Sequence, residues 1–179
     1  MKDYIDAALT TKGGQFHGKR IGLMFFIAAL RDFVHAANHL DNIKKTLFYG
    51  RKLGKLDESF EWGGVNLDLV KEAIHPDIIH GIIGGATETG EQCEALVKAL
   101  DDMMQGRAVT FDEVNLKEEC GDQLWYLAIL LARLGTDFTT EAKRNIAKLM
   151  LRFPAGFTEQ NALVRDIAAE RALLESEVA

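Results

Sequence analysis

The chain has 179 residues, with 27 acidic against 21 basic side chains and a formal net charge of −6. That length can bury a real core in one domain or slightly more. The acidic balance argues against a general nucleic-acid surface, and no apolar run reaches the length of a membrane span. The N-terminal stretch is not patterned as a signal peptide, and Cys93 and Cys120 form no C-x-x-C motif. Both read as free thiols that simply pack, in a cytoplasmic protein.

Residues 1–19 are polar and carry Gly13, Gly14 and Gly18, so they read as loop or edge structure. From about Arg20 to Phe48, Leu23, Phe26, Ile27, Leu30, Phe33, Val34 and Ala37 recur at helical spacing. His35 and His39 share a face at i, i+4, which reads as a packed or surface pair because no third histidine stands near. Lys44, Lys45, Arg51, Lys52 and Lys55 form a basic cluster around Phe48-Tyr49-Gly50. It reads as a solvated helix end, where cations suit the dipole, with phosphate or base contact as the sharper alternative.

Residues 50–66 read as a connector, and 67–74 as a short helix stopped by Pro76. Glu72 and His75 formally make the E-x-x-H of di-iron bundles, but only once and against a proline. Asp77 to Met104 predicts a long helix entered through Gly81, Gly84 and Gly85, with Gly106 as its C-terminal cap. Thr110-Phe111-Asp112-Glu113 predicts a capping box opening a second long helix that ends near Leu134 before Gly135. A third spans about Thr139–Arg152, is broken by Phe153-Pro154-Ala155-Gly156-Phe157, and is followed by a charge-rich helix from Glu159 to Glu175.

The two long helices carry acids in pairs three residues apart, Glu88/Glu91 and Glu119/Asp122. That spacing puts each pair on one helical face, amid apolar neighbours such as Leu96, Leu124 and Leu127. Acids in an apolar stripe are costly unless neutralised, and four converging carboxylates repel one another. Mg²⁺ or Mn²⁺ resolves the conflict, because these hard cations take oxygen ligands and bridge carboxylates to phosphates. A level hairpin between these helices leaves the two pairs roughly 9 Å out of register at ~1.5 Å per residue, so tilt, different boundaries or a climbing linker is required.

Glu88-x-x-Glu91, 27 intervening residues and Glu119-x-x-Asp122 resemble the E-x-x-E … E-x-x-D signature of the all-α nucleoside triphosphate pyrophosphohydrolases, in their MazG-like branch. Residues 80–91, 118–128 and 145–157, with Arg165-Asp166 and Glu170-Arg171, match in order over roughly 80–175. One departure is Thr87, where many relatives carry a further Glu.

The resemblance implies an all-α helical bundle of four to five helices, completed by oligomerisation to a dimer or tetramer. The chain itself reads as a single domain over 1–179, with an N-terminal helical region at about 20–76, the signature hairpin and third helix at about 77–157, and a C-terminal helix at about 159–175. The implied reaction cuts a nucleoside or deoxynucleoside triphosphate between the α- and β-phosphates. Glu88, Glu91, Glu119 and Asp122 would hold two or more Mg²⁺ or Mn²⁺ ions, activating water and stabilising the leaving pyrophosphate. Asn145, Lys148 and Arg152 share one helical face and are suited to donate to phosphate oxygens. Trp125 would wall the pocket or stack a base, a core tryptophan being the alternative. Pool control, removal of damaged nucleotides and phage nucleotide metabolism are all compatible roles. The rivals are a non-enzymatic helical regulatory or assembly protein and, further off, a ferritin-like di-iron protein.

Overall fold

The computed structural model describes residues 2–52 and 70–176, and within them all regular secondary structure is helical. There are seven α-helices and no β-strand among the described residues, against the four to five helices expected. The order is α1 (Lys2–Thr10), α2 (Leu23–Tyr49), α3 (Pro76–Met104), α4 (Glu113–Arg133), α5 (Phe138–Arg152), α6 (Glu159–Leu163) and α7 (Ile167–Glu175). The chain divides into two compact units. One is Lys19–Leu134, and the other joins the chain up to Gly18 to the chain from Gly135 on.

In the first unit α3 is central, and α2 and α4 both run antiparallel to it. Arg31 of α2 pairs with Asp101 near the end of α3, at 2.7 Å, while Lys44 of α2 reaches Thr87 and Glu88 near its middle. On the other side Gln123 of α4 donates to Thr89 and Gln92 of α3, at 3.1 and 3.0 Å. Glycines let the helices close on one another: a Cβ added to Gly90 would sit 2.3 Å from the Cβ of Ala37.

The helix ends follow local chemistry. Pro76 occupies the first turn of α3, and the ring of His75 caps it by accepting from the Asp77 N–H. Gly106, at φ +68°, ends it as expected, its N–H bonding Met103 O and that of Arg107 bonding Asp102 O. Asp112, not Thr110, caps α4, because its carboxylate reaches the N–H groups of Val114 and Asn115.

In the second unit α5 packs with α1 and α7. The expected loop at residues 1–19 is therefore partly wrong: α1 forms first, and the Thr10 and Thr11 hydroxyls close its end on the Ala7 and Ala8 carbonyls. The single C-terminal helix expected from Glu159 to Glu175 is two, because Asp166 caps a new helix by accepting from Ala169 N–H at 2.9 Å. The helix expected at 67–74 lies partly outside the described residues; Ala73 and Ile74 both bond back to Val70 O as a turn.

Candidate metal centre

Glu88 and Glu91 stand one turn apart on α3, and α4 brings Glu119 opposite them. One carboxylate oxygen from each lies within 4.8 Å of the others. Glu88 and Glu119 are buried, while Glu91 opens to the surface. Among the described residues three acids converge here, and the exposed Asp122 is not one of them. At about 100° per residue, Gln123 lies only about 40° around α4 from Glu119 and takes the place facing α3; Asp122 falls about 60° to the other side.

Glu119 is the most constrained of the three. Its Oε1 accepts from Asn115 Nδ2 one turn earlier, and its Oε2, fully shielded from water, has no hydrogen-bond partner. Burial and the charges of Glu91 and Glu88 push its carboxyl up to about 7. Glu91 is also raised, by burial and by Glu88. These are acids crowded beyond what their own surroundings neutralise.

A buried cation flanks them. Lys44, only 3 % exposed, places Nζ 3.0 Å from Glu88 Oε1, 2.7 Å from Thr87 Oγ1 and 3.3 Å from Asp41 Oδ1. It also lies 4.8 Å over the ring of Tyr126. Burial works against its charge, but hydrogen bonds to Tyr126 and Glu88 more than offset this and keep it protonated. Thr87 is buried, with its Oγ1 2.7 Å from Gly84 O and 3.0 Å from Glu88 Oε1; its single hydroxyl proton serves one of the two. The sequence reading placed Lys44 in a solvated helix end. The signal that identifies it is the stripe itself, since Ile27, Leu30, Val34, Ala37, Asp41, Lys44 and Phe48 continue one sequence of three- and four-residue steps.

Beside Lys44 lies an aromatic cluster. Phe48 stacks on His80 at 3.9 Å, and the Tyr49 and Tyr126 hydroxyls meet at 3.1 Å. Burial, and secondarily Lys44, hold His80 below its ordinary range. Trp125 packs edge-on against Tyr126 and His80 yet remains 52 % exposed, so it is not a core tryptophan.

On the other flank, α3 runs thirteen residues past Glu91 while α4 begins six residues before Glu119. The overhang is about 10 Å, and residues 105–112 climb back along it, which resolves the register mismatch. Under it is a cleft of about 810 Å³, bounded by Glu91, Lys98, Asp101, Arg107, Phe111 and Asn115 among others.

The remaining candidates lie on α5, in the other unit. Asn145 Oδ1 accepts from Tyr4 Oη at 3.4 Å, and Lys148 is half-buried. Arg152 commits Nε and Nη2 to Glu170 at 2.7 and 2.6 Å, an acid that Arg165 also binds, so its guanidinium is engaged within its own unit. His35 and His39 are an exposed pair with ring centroids 4.7 Å apart. His75 is occupied as a helix cap, which weakens the di-iron reading further.

The donor set fits a hard divalent cation: it is all carboxylate oxygen, carries net negative charge, and includes a buried oxygen to which no donor is directed. No protein-family model, curated protein or solved structure matches the chain. No described helix is long and apolar enough to cross a membrane.

Proposed function

We propose that the chain is a metal-dependent hydrolase that cuts nucleoside or deoxynucleoside triphosphates between the α- and β-phosphates, yielding a monophosphate and pyrophosphate. The observation that carries the metal dependence is Glu119 Oε2, buried and unpartnered in a cluster with Glu88 and Glu91. The substrate class rests on the resemblance of the signature blocks to nucleoside triphosphate pyrophosphohydrolases.

Mg²⁺ or Mn²⁺, when bound, would supply Lewis acidity to water and to phosphate oxygens. Glu88, Glu91 and Glu119 would hold it, with Asn115 fixing Glu119 through one oxygen so that the other stays available. Glu91, the exposed member, stands where the cluster meets the overhang cleft, and substrate would approach there. Asp122, one turn from Glu119 and exposed, would join only by reaching toward bound substrate. The free face of Trp125 would stack a nucleobase.

The test is a panel of nucleoside triphosphates with Mg²⁺, with Mn²⁺ and with chelator, the products separated by chromatography. Expected are metal-dependent monophosphate and pyrophosphate, lost in both Glu91→Gln and Glu119→Gln. A persisting diphosphate with orthophosphate, or turnover indifferent to chelator, would overturn the reading.

A further inference from the structure

We propose that Lys44 is a built-in cation that takes the place of a metal ion, so that the carboxylate site holds one divalent ion per chain rather than two or more. The inference rests on the metal-centre reading above and specifies its stoichiometry.

The charge count is simple. Glu88, Glu91 and Glu119 together carry −3, and Lys44 supplies +1, leaving −2 for one divalent cation. Asp41 also touches Lys44, but its charge is balanced by its own partner Lys45. Asp122 lies outside the converging group and adds no ligand to it.

The geometry divides the site in the same way. Glu88 Oε1 already accepts from Lys44, and Thr87 Oγ1 is within 3.0 Å of the same oxygen. That end of the cluster is spoken for. At the other end Glu119 Oε2 has no partner and Glu91 is open. Glu91 and Glu119 would be the principal holders of the one ion, Glu88 being already engaged by the ammonium.

Lys44 is not a flexible surface chain that an incoming ion could push into solvent. It emerges from the middle of the α2–α3 contact, is 3 % exposed, and is fixed by Thr87, Glu88, Asp41 and the Tyr126 ring at once. An ammonium in this place repels a second dication at close range. Thr87 fits the same scheme, since a neutral hydroxyl there accepts from Lys44 without adding a fourth negative charge.

The test is Mn²⁺ binding to the chelator-stripped full chain, with free Mn²⁺ counted by electron paramagnetic resonance and heats measured by calorimetry. Wild type should bind one Mn²⁺ per chain at this site, and Glu119→Gln should abolish that binding. Lys44→Gln, which keeps hydrogen-bonding capacity without the charge, should bind the first Mn²⁺ at least tenfold more tightly and admit a second. Lys44→Arg, which keeps the charge, should remain at one. Wild-type stoichiometry decides the matter even if a Lys44 variant fails to fold. Two ions per wild-type chain, both lost in Glu119→Gln, would overturn the proposal for Lys44 while leaving the metal centre standing. Folded Lys44→Gln with unchanged stoichiometry and affinity would do the same. No Mn²⁺ bound by wild type would overturn both.

Discussion

Gly84 on α3 faces the ring of Tyr126 on α4 so closely that a Cβ there would stand 2.1 Å from Cδ1. This contact sets the spacing of the two helices one turn from Glu88, and Tyr126 in turn carries Lys44 over its ring. A methyl group at residue 84 would therefore push on both the helix pair and the carboxylate cluster.

Gly84→Ala should destabilise the fold by about 2 kcal/mol or more, despite alanine's better helix propensity. Gly85→Ala is the control, because nothing lies within 4 Å of its added Cβ; it should be neutral or stabilising. Denaturant melts of both variants check this, and equal effects would show that the close approach does not limit the packing.

For the metal-free protein, Glu119 gives a stability signature with a definite sign. Its carboxyl is raised from 4.5 to about 7, so the folded state keeps a proton that the unfolded state has lost. Its stabilising contribution is complete below about pH 4.5 and disappears as pH rises through 7. With chelator present, Glu119→Gln should match wild type near pH 4.5 and exceed it by on the order of 2 kcal/mol at pH 8. Added Mn²⁺ should reverse the order, since it binds the native wild type alone.

Glu170 behaves in the opposite sense. Arg152 and Arg165 hold its carboxyl down to about 2, so its contribution is full above about pH 4.5 and is lost as pH falls through 2. Glu170→Ala leaves the mostly buried Arg152 without its partner and should cost roughly 3 kcal/mol. Melts at pH 7 and pH 2.5 should show that cost shrinking in acid.

How far the sequence foretold this arrangement differs from element to element. The α3 and α4 spans were legible because Pro76, Gly106 and Gly135 punctuate them and the acids recur at helical spacing. Glu88, Glu91 and Glu119 were legible for the same reason. Asp122 was not separable from Glu119, because i, i+3 spacing says that two residues share a face and not which of them points at the neighbouring helix. Lys44 was missed because a lysine near a helix end reads as solvated, although it continues the apolar stripe. The short α1, closed by two threonine hydroxyls, and the break at Asp166, set by one capping bond, turn on local side-chain bonds that propensity resolves poorly.

The described helices leave large apolar side chains uncovered, among them Phe25 at 74 % and Val114 at 77 % exposure. Exposure on this scale fits a surface that a second copy covers. Light scattering at micromolar concentration should give a dimer or tetramer, and Phe25→Glu should shift it toward monomer. A clean wild-type monomer would count against this.

The central claim is hydrolysis at the α-phosphorus by a carboxylate-held metal centre, and oxygen-isotope tracing tests it most directly. The protein is given a nucleoside triphosphate and Mg²⁺ in ¹⁸O-labelled water, and both products are analysed by mass spectrometry. The account predicts one labelled oxygen in the nucleoside monophosphate, unlabelled pyrophosphate, and neither product with Glu119→Gln. Label in pyrophosphate or orthophosphate, or equal product formation by Glu119→Gln, would contradict it.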